Sequence, residues 1–187
     1  MTTPAARPAI AATLVVLFAW LAGQTPALAA PLDFTMQAQQ KSNWCWAAAG
    51  ASIAAHHGSQ VTQNAFCALS KNLGTGVDCP NDQANLAEVR QGFSRLGYRS
   101  PGTYVYDYLT YSAIQNQLNA GLPIETRIGW KSGGGHMHVL YGFDSSKSWV
   151  YWGDPWPSSY RYNWATYGYY VNNSSFAWTH TLTGIQR

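Results

Sequence analysis

The sequence predicts an α+β fold, with an N-terminal helical half built on one central apolar helix and packed on a C-terminal antiparallel β-sheet. Three observations carry this prediction. From Ser42 to Gly58 there is no Asp, Glu, Lys or Arg, so a helix there has no solvent-facing stripe and belongs in an interior. From Leu122 onward the apolar pattern changes to short alternating runs rich in aromatic and β-branched residues, separated by Gly, Ser, Asn and Pro. Helices first and strands second is the order of an α+β layout rather than of alternating βαβ units.

The elements follow in order. Residues 1–29 read as a signal peptide. Arg7 precedes the apolar run 9–21, which Gly23, Gln24 and Pro26 interrupt, and "ALA" at 27–29 supplies small residues for cleavage. The run is short for a span of about 20 residues, so no stable membrane anchor is expected after cleavage, and the mature chain is expected to be secreted or periplasmic. Residues 30–187 are then one domain with one sizeable core. The central helix takes Ser42 or Asn43 as its cap and ends at Gly58. In "VTQNAFCALSK" Thr62 is an N-cap, with Val61 and Phe66 placed as a hydrophobic staple. In "NDQANLAEVRQGFSRLG" Leu86, Val89, Phe93 and Leu96 share one helical face that stops at Gly97. "SAIQNQLNAG" carries a Ser112/Gln115 capping-box pattern and ends at Gly121. Strands follow in "PIETRIGW", where Ile124, Thr126 and Ile128 alternate against Glu125 and Arg127, and then in "HMHVLYGF", "SWVYWGD", "YRYNWATYGYYV" and "SFAWTHTL".

Charge excludes one class of function. The whole chain carries +3, loses one unit with Arg7, and has no basic stripe, so nucleic acid is not an expected partner. Cysteine usage points to another class. Three cysteines in an exported chain imply one bridge and one free thiol. Cys67 and Cys79 flank the loop-like "SKNLGTGVDCPND", and closing it contributes roughly 3 kcal/mol in the chain-entropy model. Cys45 is left free in the first turn of the central helix, where exposed backbone N–H groups and the helix dipole favour a thiolate. A retained free thiol outside the cell is an oxidation liability, which favours chemistry, with pairing to another chain as the alternative.

Acyl transfer by a thiol needs a nucleophile, a base, a group orienting the base, and oxyanion donors. Cys45 is the candidate nucleophile. "GGGHMHVLYGFD" sets His136 at the head of a strand after three glycines, and "VYWGDP" ends the next strand at Asp154. In "QQKSNWCWAAAGASIA", "IGWKSGGGHMHVLYGFD" and "VYWGDPW", the chain resembles the papain-like cysteine peptidases, in particular a small exported bacterial branch with "WCWAA" around the nucleophile. The resemblance implies a papain-like fold with the nucleophile helix at its centre. It also implies Cys45 as nucleophile, His136 as base and Asp154 as orienting acid, a role in which bacteriocin-processing peptidases show a similar Asp-Pro and plant papains use Asn. A glutamine six positions before the cysteine, here Gln39, is implied as an oxyanion donor beside the Cys45 amide; Gln40 is adjacent and chemically identical.

Other residues have plainer readings. His138, two positions after His136, faces the same side of a strand, and spacing to Gly142 in the family pattern favours His136. The HxH pair has no further compact Cys/His cluster to make a zinc site. His56 and His57 close the first helix, and His180 lies in a strand. One of Trp44 and Trp46 walls a groove and the other fills the core. The aromatic tail reads as cross-strand pairing before a sugar platform, and Asn172 and Asn173 begin glycosylation sequons. The expected function is an exported cysteine endopeptidase that hydrolyses peptide bonds through a thioester, with a polypeptide substrate and no metal or organic cofactor. Too little chain separates residue 29 from Cys45 to fold as an inhibitory domain, so protection of the producing cell falls to export or to an inhibitor protein. A cell-wall amidase or transpeptidase using the same residues, and a non-catalytic aromatic surface binder, are the alternatives.

Overall fold

The structure, a computed structural model, describes Met1, residues 31–74 and residues 76–187. Apart from Met1, the expected signal peptide lies outside the described residues. The chain forms α1 (Cys45–His56), α2 (Gln63–Ser70), α3 (Leu86–Arg95), β1 (Ser100–Val105), α4 (Tyr111–Asn119), β2 (Ile124–Trp130), β3 (Gly135–Asp144), β4 (Trp149–Gly153), β5 (Tyr162–Thr166), α5 (Tyr167–Val171) and β6 (Phe176–Gln186). The strands make one antiparallel sheet in the order β1-β6-β2-β3-β4-β5. This is the expected α+β architecture.

Helix α1 is buried from Trp46 through Ala54, as its lack of charge requires. Its small residues let the other helices close in. A Cβ at Gly50 would lie 2.2 Å from Phe66 Cε1, and one at Gly92 would lie 2.3 Å from Ser70 Oγ, so glycine sets how near α2 comes to α1 and α3. Phe66 then meets Phe93 edge-to-face and Phe93 meets Tyr98 at a tilt, each pair of ring centroids 5.1 Å apart. The Thr62 cap holds, accepting from Ala65 N. Asn85 and Glu88 form a full capping box on α3, and Leu86, Val89 and Phe93 point inward.

The sheet is buried on both faces. One cluster lies between α1 and the sheet and includes Ile53, Met137, Val139 and Leu182. The other lies under α4 and α5 and includes Ile114, Ile128, Trp152 and Tyr170.

Five local expectations are corrected. The cap of α1 is Trp44 without a side-chain hydrogen bond, because Ser42 and Asn43 are drawn into contacts with Asn81. Helix α4 begins two residues earlier than the Ser112/Gln115 pattern implies. Thr110 Oγ1 accepts from Ala113 N, and Tyr111 is pinned by its hydroxyl to the Asp144 and Trp149 carbonyls. Glu125 does not face out: it sits opposite Val139 and Leu182 and is 0 % exposed. The tail "YGYYV" is helix rather than strand, since Thr166 caps it at Tyr169 N and Tyr170 drops into the core. Strand β1 falls in a segment for which no element was expected; an edge strand tolerates proline, and β1 pairs only with β6.

Candidate active site

Cys45 is the first residue of α1, so its backbone N–H belongs to the set that no helix carbonyl can satisfy. The turn before it is held from outside. Asn43 N donates to Asn81 Oδ1 at 2.9 Å, Asn43 Nδ2 to Asn81 O at 2.8 Å, and Asn81 Nδ2 to Ser42 Oγ at 2.9 Å. Trp44 Nε1 donates to Pro80 O and Trp46 Nε1 to Asp82 O, each at 3.0 Å. Residues 80–82 follow Cys79, which is bridged to Cys67. The disulfide therefore steadies the strap that grips the nucleophile turn, and Cys45 is the free cysteine. Both flanking tryptophans are buried; Trp46 also lines the cleft beside Cys45.

His136 stands at the start of β3, where the strand opens onto the N-terminus of α1. Its Nε2 donates to Asp154 Oδ1 at 2.7 Å, which leaves Nδ1 for the cysteine. Cys45 and His136 share a cleft of about 230 Å³. Burial lowers the imidazole's proton affinity, but the hydrogen bonds to Asp154 and Cys45 and the charges on both outweigh it, and the pKa rises to about 9. Trp130 stacks near-parallel to the ring at 6.2 Å and Trp156 meets it edge-on at 6.1 Å. These two walls and Asp154 line a second cleft, of about 360 Å³, that also borders His136.

Asp154 follows β4 in a turn closed by its N–H to Arg161 O at 3.0 Å and by Trp156 N to its Oδ1 at 2.8 Å. Burial pushes its carboxyl up, yet the His136 hydrogen bond, the histidine charges and the Trp156 N–H bring it below the usual carboxylate range. The paired shifts describe a carboxylate holding an imidazolium.

His138 lies beside this pair, its Nε2 at 3.8 Å from Asp154 Oδ2, too far for a hydrogen bond. Its Nδ1 is 3.3 Å from the Tyr170 hydroxyl, which is 2.6 Å from Thr126 Oγ1. Burial, then the charge on His136, lowers its pKa to about 3, so His138 is neutral and makes no ion pair. Gln39 is buried and its Nε2 donates to Lys41 O at 3.0 Å and Ser42 O at 2.8 Å. It braces the turn before Cys45, whereas the Gln40 side chain is exposed. His56 bonds the Asp33 and Gly121 carbonyls, and His180 meets Thr179, both away from the cleft.

The family model described as papain-like cysteine protease AvrRpt2 matches residues 28–173. The chain belongs to this family. It is a cysteine peptidase, a hydrolase, with the papain-like fold. No curated protein matches the sequence. Among solved structures, the fold of this protease is similar to the peptidase domain of Streptococcus ComA, a bifunctional ABC transporter involved in a quorum-sensing pathway. The TM-score is 0.59 at 20% identity, covering 82% of this chain and 98% of that one. It is also similar to xylellain, a cysteine protease from Xylella fastidiosa, with a TM-score of 0.51 at 12% identity, covering 86% and 88%. At these identities the likeness is one of fold.

Among the described residues of the protease, one group offers ligand atoms close enough for a metal ion: His136, His138 and Asp154, all within 4.8 Å. Two of those atoms already share the 2.7 Å hydrogen bond, so an ion there would have to replace it. Several residues around the cleft escaped sequence reasoning. Asn81 and Asp82 act through a strap whose only sequence signal was the cysteine twelve positions from its partner. Tyr170 and Thr126 reach His138 through the core. Arg127 lines the Cys45 cleft, although alternation alone marked it as one outward position among many.

Proposed function

We propose that this protease hydrolyses internal peptide bonds of extracellular polypeptides through a Cys45–His136–Asp154 triad and a thioester. The observation that carries the proposal is the position of His136, with Asp154 on Nε2 and Cys45 in the same cleft. The imidazolium at His136 is the partner a Cys45 thiolate requires. The thiolate sulfur adds to the substrate carbonyl carbon, and the oxygen takes the charge. The Cys45 backbone N–H donates to that oxyanion, and Gln39 exchanges one of its two carbonyl contacts to donate with it. Collapse breaks the C–N bond as His136 Nδ1 gives its proton to the departing amine, leaving the acyl group on Cys45. Water then gives a proton to the now neutral His136 and attacks the thioester, and the acid leaves as the thiolate and imidazolium return. Asp154 keeps the ring oriented and favours its charged form throughout.

Action outside the cytoplasm is supported by the Cys67–Cys79 bridge, since such bonds persist in oxidising compartments. It is compatible with there being no helix among the described residues long and apolar enough to cross a membrane. The test is the chain from residue 30, refolded with the bridge formed, on casein and on purified peptidoglycan. New amino termini are expected from casein, none from peptidoglycan, and none from either with Cys45→Ala. Turnover that survives Cys45→Ala, or that occurs only on peptidoglycan, would overturn the reading in favour of another nucleophile or of an amidase.

A further inference from the structure

We propose that Arg127 forms a carboxylate subsite beside the nucleophile, so that the protease favours substrates with Asp or Glu within a residue or two of the scissile bond. The proposal rests on the reading of Cys45 and His136 as the reacting pair.

Arg127 lies opposite Met137 in the β2–β3 ladder, on the sheet face under α1, and its side chain runs toward the catalytic end of the strands. Nη1 donates to Thr179 Oγ1 at 2.9 Å. Ahead of it, Gly129 and Gly135 face one another across the two strands. A Cβ at Gly135 would lie 2.6 Å from Nη2 and 2.8 Å from Cζ, and one at Gly129 would lie 3.6 Å from Nη1. The two glycines thus form a bed in which the planar guanidinium rests at the edge of the cleft it lines with Cys45 and His136.

The charge on this group is not neutralised. No acidic side chain lines that cleft, and among the described residues no carboxylate lies within 4 Å of Arg127. Glu125, two positions back on the same strand face, has no hydrogen-bond partner, and burial, then the charge of Cys45, push its carboxyl toward the neutral form. His180, across the ladder from Arg127, is pushed toward its neutral form by burial and by the guanidinium. Thr179 takes one edge of the fork, and Nη2 makes no hydrogen bond to another described residue. A guanidinium held in one plane, half-buried and without a counter-ion, is matched by a carboxylate that accepts two parallel N–H groups. An acidic substrate side chain supplies what the fold withholds.

The experiment uses sets of quenched peptides identical except for Glu, Gln or Lys at one position flanking the cleaved bond. Cleavage by the wild-type protein and binding to the Cys45→Ala protein by calorimetry are measured in parallel. At one position Glu is expected to exceed Gln by about tenfold in both kcat/KM and affinity, with the ratio shrinking as salt is raised. Arg127→Met should bring the ratio to near one, Arg127→Lys should keep part of it, and Arg127→Glu should favour the Lys peptide. Thr179→Val, which frees the guanidinium without removing it, should lower the ratio part-way and keeps the test open should Arg127→Met fail to fold. Cleavage with no preference for Glu over Gln at any position, or a preference undiminished in Arg127→Met, overturns the subsite and leaves the triad standing. No cleavage of any peptide, with tighter binding of the Glu members to the Cys45→Ala protein, overturns the triad and leaves the subsite standing.

Discussion

Two histidines on one strand face lie beside one carboxylate, and only His136 is hydrogen-bonded to it; their surroundings divide the roles between them. His136 is raised to about 9 by hydrogen bonds and charges that outweigh its burial. His138, buried behind it and paired with the Tyr170 hydroxyl, is lowered to about 3. His136→Ala should therefore cost on the order of 10²–10⁴ in kcat, the range for a lost general acid–base group. His138→Ala should act first on stability, through the cavity it leaves, by roughly 2–5 kcal/mol. Kinetics run beside thermal melting separate the two, and a His138→Ala protein of normal stability but no activity would reverse the assignment. Asp154→Asn should lower kcat with little change in KM. It should also move the alkaline limb of kcat/KM down from near pH 9, because the carboxylate, with Cys45, holds the proton on His136. A profile that keeps its limb would reduce Asp154 to a turn-forming residue.

At the scale of elements, the nucleophile helix depends on a loop that is far from it in sequence. The Cys67–Cys79 bridge closes that loop, and the carbonyls just beyond it hold the indoles of Trp44 and Trp46. Replacing both cysteines with serine should cost about 3 kcal/mol. Activity should fall further than the folded fraction does, since the turn before Cys45 loses its brace; urea unfolding compared with active-site alkylation rates measures both. Strand β2 carries the opposite kind of feature. Glu125 is fully buried with both carboxyl oxygens unpartnered, and burial raises its pKa well above the usual value. Glu125→Met should stabilise the protein by roughly 1–3 kcal/mol, the cost of an unsatisfied buried polar group. A drop in urea midpoint would mean that the carboxyl has a function in the fold.

For the whole molecule, these groups set a pH window. His136 is bound more tightly to its proton in the folded state, so its contribution is full below about 6.5 and is lost as pH rises through about 9. Glu125 adds to loss on the same side, since its neutral form is the one the fold accepts. His138 and Asp154 are lowered; their contributions are present above their ordinary values and are lost as pH falls, toward about 3 for His138. Melting temperature should peak between about pH 5 and 8, and His138→Phe should flatten the acid side alone. The segment before α1 belongs to the same unit. Leu32 N and Gln39 N donate to Tyr141 O and Pro155 O, each at 2.8 Å, and Phe34 and Met36 are buried, which ties the approach to Cys45 to the strands that carry His136 and Asp154.

By itself the sequence determined what depends on local pattern and on cysteine parity. The charge-free run from Ser42 to Gly58 could only be an interior helix, Thr62 and Asn85 begin helices by hydrogen bonds within one turn, and three cysteines left one thiol over. Motif order likewise brought Cys45, His136 and Asp154 into one expectation. The tertiary structure decided what depends on neighbours distant in sequence. "YGYYV" has strand propensity but becomes helix because Tyr170 fills the space between Trp152, Phe176 and Trp178. Glu125 and Arg127 sit two apart on one strand face. The first is fully buried and the second lines the cleft, and period-two alternation contains no information about where along a strand face its cover ends.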